Sequence, residues 1–241
     1  MTTLFIADLH LSPSEPDITR CFLTFMREEA IHADALYVLG DLFEFWIGDD
    51  DNSDFANQIR LEIKTLTQSG IPCYFVRGNR DFLIGRRFAK QTGITLLEQE
   101  SLIDLYGTKA VILHGDTLCT QDVNYLKFRK KVHQPWLQWL FNRIPLWVKK
   151  KIIAKVQSNI RVDKQTKSLD IMDVTPSEVD SVLEKHHVDL MIHGHTHRPN
   201  IHTLDNTKDK KTRVVLGDWY TQGSVLVYDE NGYELQARPF N

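Results

Sequence analysis

Val188-Asp189-Leu190-Met191-Ile192-His193-Gly194-His195-Thr196-His197 is the stretch on which the reading of this chain turns. A mainly apolar run of buried-strand length passes straight into three alternate histidines with a glycine among them. Imidazole is the commonest protein metal ligand. Two histidines two residues apart in a bent loop can turn toward one ion, or toward two ions side by side. Taken alone, the pair also fits two solvated side chains on a surface strand.

The same arrangement at four strand ends upstream separates these readings. Residues 3–7 form a short apolar run ending in Asp8-Leu9-His10, and residues 35–39 end in Gly40-Asp41. Residues 73–76 lead to Gly78-Asn79-Arg80-Asp81. A strand pair, 102–106 and 110–113, turns at Gly107 and ends in His114-Gly115-Asp116. Helical spacing follows Asp17, read as a cap, and recurs over 53–69, 83–91 and 176–185. The tail (213–216, 224–228, 233–237) alternates like an antiparallel sheet. Strand, polar loop and helix in repetition predict an α/β layered fold, in which ligands bind beyond the carboxyl ends of the strands.

The 241 residues suffice for one α/β domain with an insertion, and the net charge of −3 points to no particular partner. Three cysteines (Cys21, Cys73, Cys119) without paired spacing read as reduced thiols in a cytosolic chain. No basic leader precedes an apolar segment, and no apolar run approaches the roughly 20 residues of a membrane span, so a soluble or peripheral protein is expected.

Residues 121–167 break the pattern. They hold 12 of the 29 Lys+Arg and only two acids, Asp122 and Asp163, for a net charge of +10 against −13 in the rest. Trp136, Trp139 and Trp147 lie among further apolar residues, and Pro135 and Pro145 divide the segment into two or three short helices. It reads as a helical lid inserted into a core made of residues 1–120 and 168–241. A basic, aromatic segment can also mark nucleic-acid binding, but these aromatics are too apolar and clustered for base stacking. A bundle packed on itself with a solvated basic face is the plainest alternative.

Asp8, His10, Asp41, Asn79, His114, His195 and His197 make a mixed oxygen and nitrogen donor set without thiolate, suited to harder or borderline ions such as Mn²⁺. Seven donors exceed what one catalytic ion can use. They suit two ions roughly 3.5–4 Å apart, bridged by a carboxylate, which bind phosphate oxygens, activate water and stabilise an in-line displacement. Gly40, Gly78 and Gly194 are expected to make the tight turns that aim these ligands. The run Asp49-Asp50-Asp51 reads as a solvated turn. Asp81, Asp116 and His193 read as supports, and His32, His133, His186, His187 and His202 as surface or satisfied histidines.

In this order, Asp8-x-His10, Gly40-Asp41, Gly78-Asn79-Arg80-Asp81, His114 and Gly194-His195-Thr196-His197 resemble the calcineurin-like metallophosphoesterase family. The resemblance implies a two-sheet β-sandwich flanked by helices, of α+β type. It places Asp8, His10, Asp41 and His197 on one metal, and Asp41 (bridging), Asn79, His114 and His195 on a second. Many members carry histidine after the asparagine, where this chain has Arg80. Arginine cannot supply a proton to an alkoxide but grips phosphate with paired hydrogen bonds, which favours cleavage of a pyrophosphate over a phosphomonoester.

The wider blocks 4–11, 40–44, 46–50, 78–83, 114–119 and 192–199 are similar to the branch of that family that hydrolyses UDP-2,3-diacylglucosamine in lipid A synthesis. That branch implies water attack on the α-phosphorus, giving UMP and 2,3-diacylglucosamine 1-phosphate, with two Mn²⁺ per chain. It implies catalytic roles for Asn79, Arg80 and His195, and substrate contacts from these three with Asp122, Lys164 and Lys167. Gln157 and Ile160 depart from the arginine and serine found there. A monomer on the cytoplasmic face of a bacterial inner membrane, attracted to anionic lipid and not to nucleic acid, is the matching expectation. Another two-metal phosphodiesterase or nuclease, or a non-catalytic binding scaffold, are the rivals.

Overall fold

The computed structural model describes residues 1–166, 173–204 and 210–240, with side chains described except at 157–166. The parallel half of the first sheet comes from β1 (Thr2–Ile6), β2 (Ala35–Val38), β3 (Cys73–Phe75) and β4 (Thr95–Leu96). Between them run helices α1 (Pro16–Glu28), α2 (Asp54–Gln68) and α3 (Arg86–Thr92). The second sheet begins with the hairpin β5 (Glu100–Leu105) and β6 (Thr108–Leu113). Three helices follow, α4 (Val123–Val132), α5 (Pro135–Arg143) and α6 (Leu146–Thr166), before α7 (Pro176–His186). The remaining strands are β7 (Leu190–His193), β8 (Asn200–Leu204), β9 (Lys211–Val215), β10 (Gly223–Asp229) and β11 (Gly232–Arg238).

The sheets are ordered β11-β10-β1-β2-β3-β4 and β5-β6-β7-β9-β8. Parallel pairing joins β1 to β4 in the first and β6, β7 and β9 in the second, with antiparallel strands outside them. The period of two along each strand sorts the side chains. Phe5 and Ala7 meet Ile112, Ile192, Val214 and Leu226 between the sheets, while Leu4 and Ile6 face α1 and α2. Likewise Val111, Leu113 and Met191 turn outward onto Val179, Val182 and Leu183 of α7. With both faces covered, these strands are apolar throughout, which is why they read as continuous runs in the sequence.

Several sequence expectations need correcting. Asp17 lies inside the first turn of α1, which begins at Pro16 after Glu15 without a side-chain cap, and it pairs with Arg20. The helix expected over 83–91 starts only at Arg86, because Asp49 accepts the amides of Gly85 and Phe88 and so holds the chain in a loop up to that point. The tail is not one antiparallel sheet. β9 runs parallel to β7 in the second sheet, while β10 and β11 close the first. The strands β4 and β8 had no counterpart in the sequence reading. Pro135 and Pro145 do separate three helices in the insertion, with Pro135 opening α5.

Candidate functional site

Donor residues follow the carboxyl ends of β1, β2, β3, β6 and β7. Backbone hydrogen bonds lace the first two ends together: Asp8 N to Gly40 O (3.1 Å), His10 N to Asp41 O (3.0 Å) and Leu11 N to Leu42 O (2.9 Å). Asp8, His10, Asp41, His195 and His197 all take positive φ, between 52° and 72°. Non-glycine residues enter this region rarely and at a cost, so five of seven candidate ligands sharing it marks a strained constellation held by its surroundings.

The glycines act differently from the expectation. Gly40 has φ +86, but Gly78 and Gly194 are not in the left-handed region. They are needed for close approach. A Cβ on Gly78 would lie 2.2 Å from Asp41 Oδ1, and one on Gly194 would lie 2.4 Å from Asp8 Oδ2.

Two groups of donors converge within 4.8 Å: Asp8, His10 and His197, and Asp8, Asp41 and His114. Asp8 is common to both, while Asp41 belongs to the second, its Oδ1 3.7 Å from His114 Nε2 and its Oδ2 3.9 Å from His10 Nε2. His114 Nδ1 donates to the Leu39 carbonyl at 2.8 Å, and its Nε2 lies 3.0 Å from Asn79 Oδ1. His10 and His197 approach through Nε2 at 3.3 Å, while their Nδ1 atoms rest on Glu44 (3.0 Å) and Asp218 (3.2 Å). Oδ1 of Asp8, the residue common to both groups, is buried without a hydrogen-bond donor. The residues fit divalent cations, with the outer nitrogen of His114 held by a carbonyl and that of His197 beside the Asp218 carboxylate.

Electrostatics agree with this. Burial opposes a charge on His197, but Asp218 and Asp8 outweigh it and push its pKa up to about 10. The same two carboxylates favour any positive charge placed beside them, a metal cation included. Burial would also raise Asp8, but His197, His114 and His10 hold its carboxyl well below the usual range. Burial and the neighbouring His114 push His195 down to about 4, so its imidazole is neutral and free to ligate.

His195 donates its backbone N–H to Asp8 Oδ2 (2.7 Å), and its ring lies 5.0 Å from that of His114. Asp81 is fully buried and accepts from Leu42 N and Gly78 N, both at 2.8 Å, bracing two ligand loops against each other. His193 is buried, bonded to Gly194 O (2.8 Å), and pushed by burial to about 3, a neutral support. Arg80 is 8% exposed, its guanidinium 4.7 Å from the centre of the Phe45 ring, and its Nε is buried without a hydrogen-bond acceptor. An N–H in that condition suits an incoming phosphate oxygen.

Asp122 caps α4 by accepting from Tyr125 N (3.0 Å), and the Tyr125 ring lies 6.4 Å from that of His195. Asp116 takes the Tyr125 hydroxyl and Arg129 Nε, tying α4 to the end of β6. The side chains of Lys164, Gln157 and Ile160, and Lys167 altogether, lie outside the described residues. Asp49-Asp50-Asp51 is not a solvated turn. Asp49 also accepts from Trp46 Nε1 (3.1 Å), Asp50 pairs with Lys149 (2.7 Å), and Asp51 accepts from Ser53 N (3.0 Å).

The profile of the calcineurin-like phosphoesterases matches residues 1–199. The chain belongs to the calcineurin-like phosphoesterase family. As a member of that family with two His/Asp clusters, it carries the donor set for divalent metal ions. A relative from Vibrio parahaemolyticus serotype O3:K6, described as a UDP-2,3-diacylglucosamine hydrolase, is 70% identical over 241 residues, all of both chains. Another of that description, from Vibrio atlanticus, is 68% identical over all of this chain and 99% of its own. A solved archaeal phosphodiesterase aligns over 98% of this chain and 99% of its own at 13% identity and a TM-score of 0.49.

Sequence reasoning missed Glu44 and Asp218, the carboxylates behind His10 and His197. A signal existed for Asp218. It follows Gly217 just past a strand end, the same glycine–acid signature that singled out Gly40-Asp41.

Proposed function

We propose that this phosphoesterase hydrolyses the pyrophosphate bond of UDP-2,3-diacylglucosamine in lipid A synthesis, giving UMP and 2,3-diacylglucosamine 1-phosphate. The observation that carries the reading is full-length identity near 70% to relatives of that description, insertion included. The candidate centre offers the chemistry. Asp8, His10, Asp41 and His197 would hold one Mn²⁺, and Asp41, Asn79, His114 and His195 the other. Bound there, the two ions supply Lewis acidity toward the phosphate oxygens and the attacking water.

The chain's own groups do the rest. Arg80, permanently charged, aims its buried Nε at the phosphate and offsets charge developing on the phosphorus oxygens. Water oxygen bonds to the α-phosphorus as the bond to the bridging oxygen breaks. The sugar phosphate departs as an anion, so Arg80 loses nothing by being unable to donate a proton. Asn79 and His195 orient the scissile phosphate.

Residues 121–167 act as the lid of this core, with Asp122, Lys164 and Lys167 on the substrate. Trp136, Trp139 and Trp147 are 63%, 59% and 64% exposed, among exposed Lys130, Lys131, Lys150 and Lys151. That surface favours docking on the anionic cytoplasmic face of the inner membrane, at ~1 kcal/mol per Lys/Arg near the surface. No helix among the described residues is long and apolar enough to cross a membrane. All seven donors come from one chain, so a monomer suffices.

Purified protein with Mn²⁺ and UDP-2,3-diacylglucosamine is expected to release UMP. No UMP, with ordinary nucleotide pyrophosphates cleaved freely, overturns the substrate.

A further inference from the structure

Among the described side chains of residues 121–156, Lys149 is the one that is buried, at 0% exposure, while Lys150 and Lys151 beside it are exposed. A lysine enters a protein interior only with partners for its charge. Lys149 Nζ donates to Asp50 Oδ1 (2.7 Å) and to Asn142 O (3.3 Å), and lies 5.7 Å from the centre of the Phe141 ring. The receptor is built around the ammonium. Gly48, at φ +136, lacks a Cβ that would lie 3.1 Å from Nζ and 2.7 Å from Asp50 Oδ1.

The loop carrying Gly48 and Asp50 is itself fixed. Next to Asp50, Asp49 takes the Trp46 indole N–H and the amides of Gly85 and Phe88. Arg60 donates to Asp49 O (3.3 Å) and stacks over Trp46 at 4.9 Å. One residue before Trp46, Phe45 supports the Arg80 guanidinium. Phe141, beside the ammonium, packs against the core cluster that contains Phe43 and Trp46. The insertion therefore meets the core through a charged latch whose loop also carries the platform of the phosphate-gripping arginine.

We propose that Lys149 is a positioning residue that seats helices α5 and α6 on the 46–50 loop, so that their apolar side and the Phe45–Arg80 platform form one wall for an acylated sugar phosphate. This rests on the substrate reading above. Lys149 touches neither substrate nor metal donors. It sets where the acyl-binding surface stands relative to Arg80, so its loss falls on recognition of the lipid and not on the chemical step.

The test compares wild type with Lys149→Met, which keeps length and apolar packing and removes the charge. For UDP-2,3-diacylglucosamine, KM should rise about tenfold or more with kcat within about threefold, the signature of lost binding energy. Turnover of bis(4-nitrophenyl) phosphate, which has no acyl chain, should be unchanged. Amide hydrogen exchange across residues 135–156 should accelerate. Asp50→Asn should act alike, and the double variant should be no worse than the poorer single one. Should Lys149→Met fail to fold, Asp50→Asn carries the same comparison. An unchanged KM with unchanged exchange overturns the latch, as do equal losses on both substrates. If wild type does not cleave the diacylated substrate, the substrate reading fails, and hydrogen exchange alone decides whether the latch exists.

Discussion

Gly78→Ala isolates the close approach on which the centre depends. Gly78 is outside the left-handed region, so alanine there carries no backbone strain. The added Cβ would meet Asp41 N at 2.4 Å and Asp41 Oδ1 at 2.2 Å, and ordinary contact begins near 3.4 Å. The backbone nitrogen cannot rotate away, so the β2 and β3 ends must part by about 1 Å, a misplacement able to cost about 100-fold in rate. Overpacking of this kind costs ~1–3 kcal/mol, which for a chain of this size lowers Tm by roughly 2–12 °C. Expected, then, are a turnover reduced about 100-fold, a fall in bound metal measured by elemental analysis, and a lower Tm by calorimetry. Gly70→Ala is the control. Gly70 has φ +97 with nothing within 4 Å of a Cβ, so stability should fall by about 1 kcal/mol while turnover stays intact. A Gly78→Ala protein with wild-type turnover and Tm would refute the steric argument.

Other outcomes follow from the same geometry. Asn79→Ala should cut turnover by orders of magnitude; wild-type rates would remove that amide from the second metal. Arg80→His should abolish pyrophosphate cleavage, and a fully active variant would contradict the role given to the guanidinium. His133 stacks on Phe82 with ring centres 5.0 Å apart, and burial, then the nearby Arg129, push its pKa down to about 4. Below its ordinary value near 6.5 the unfolded chain holds more protons at this site than the folded one, so stability declines as pH falls from about 6.5 to about 4. In urea titrations His133→Phe should flatten that decline, and an unaltered pH profile would count against the buried neutral imidazole. Replacing Trp136, Trp139 and Trp147 with serine should abolish co-sedimentation with anionic vesicles without reducing the Tm; undiminished binding would locate the membrane surface elsewhere.

The convergence of the donor blocks on one candidate site was legible in the sequence because each block is local. A strand, a turn and a donor fit within five or six residues, and the positional agreement of five such blocks needs no tertiary knowledge. Lys149 and the three aspartates at 49–51 were not legible. In a segment with so many lysines, nothing in spacing marks the one that folds inward, since its burial depends on a glycine about a hundred residues away. The tail misled for a related reason. β9 and β10 have the same alternating texture, and only the long-range pairing of β9 with β7 and of β10 with β1 assigns them to different sheets. The two-residue β4 and the largely exposed β8 are too short or too polar to rise above the loops around them.

The span of the centre along the chain also bears on how the protein comes to be active. Its ligands and their braces run from Asp8 after the first strand to Asp218 after the ninth, and both sheets must be closed before His197 lies between Asp8 and Asp218. Contacts of such separation form late, after most loop-closure entropy has been spent. A growing chain on the ribosome therefore has no assembled centre until nearly all of it has emerged. A cation that binds only the finished candidate site would stabilise that state by mass action and so report completed folding.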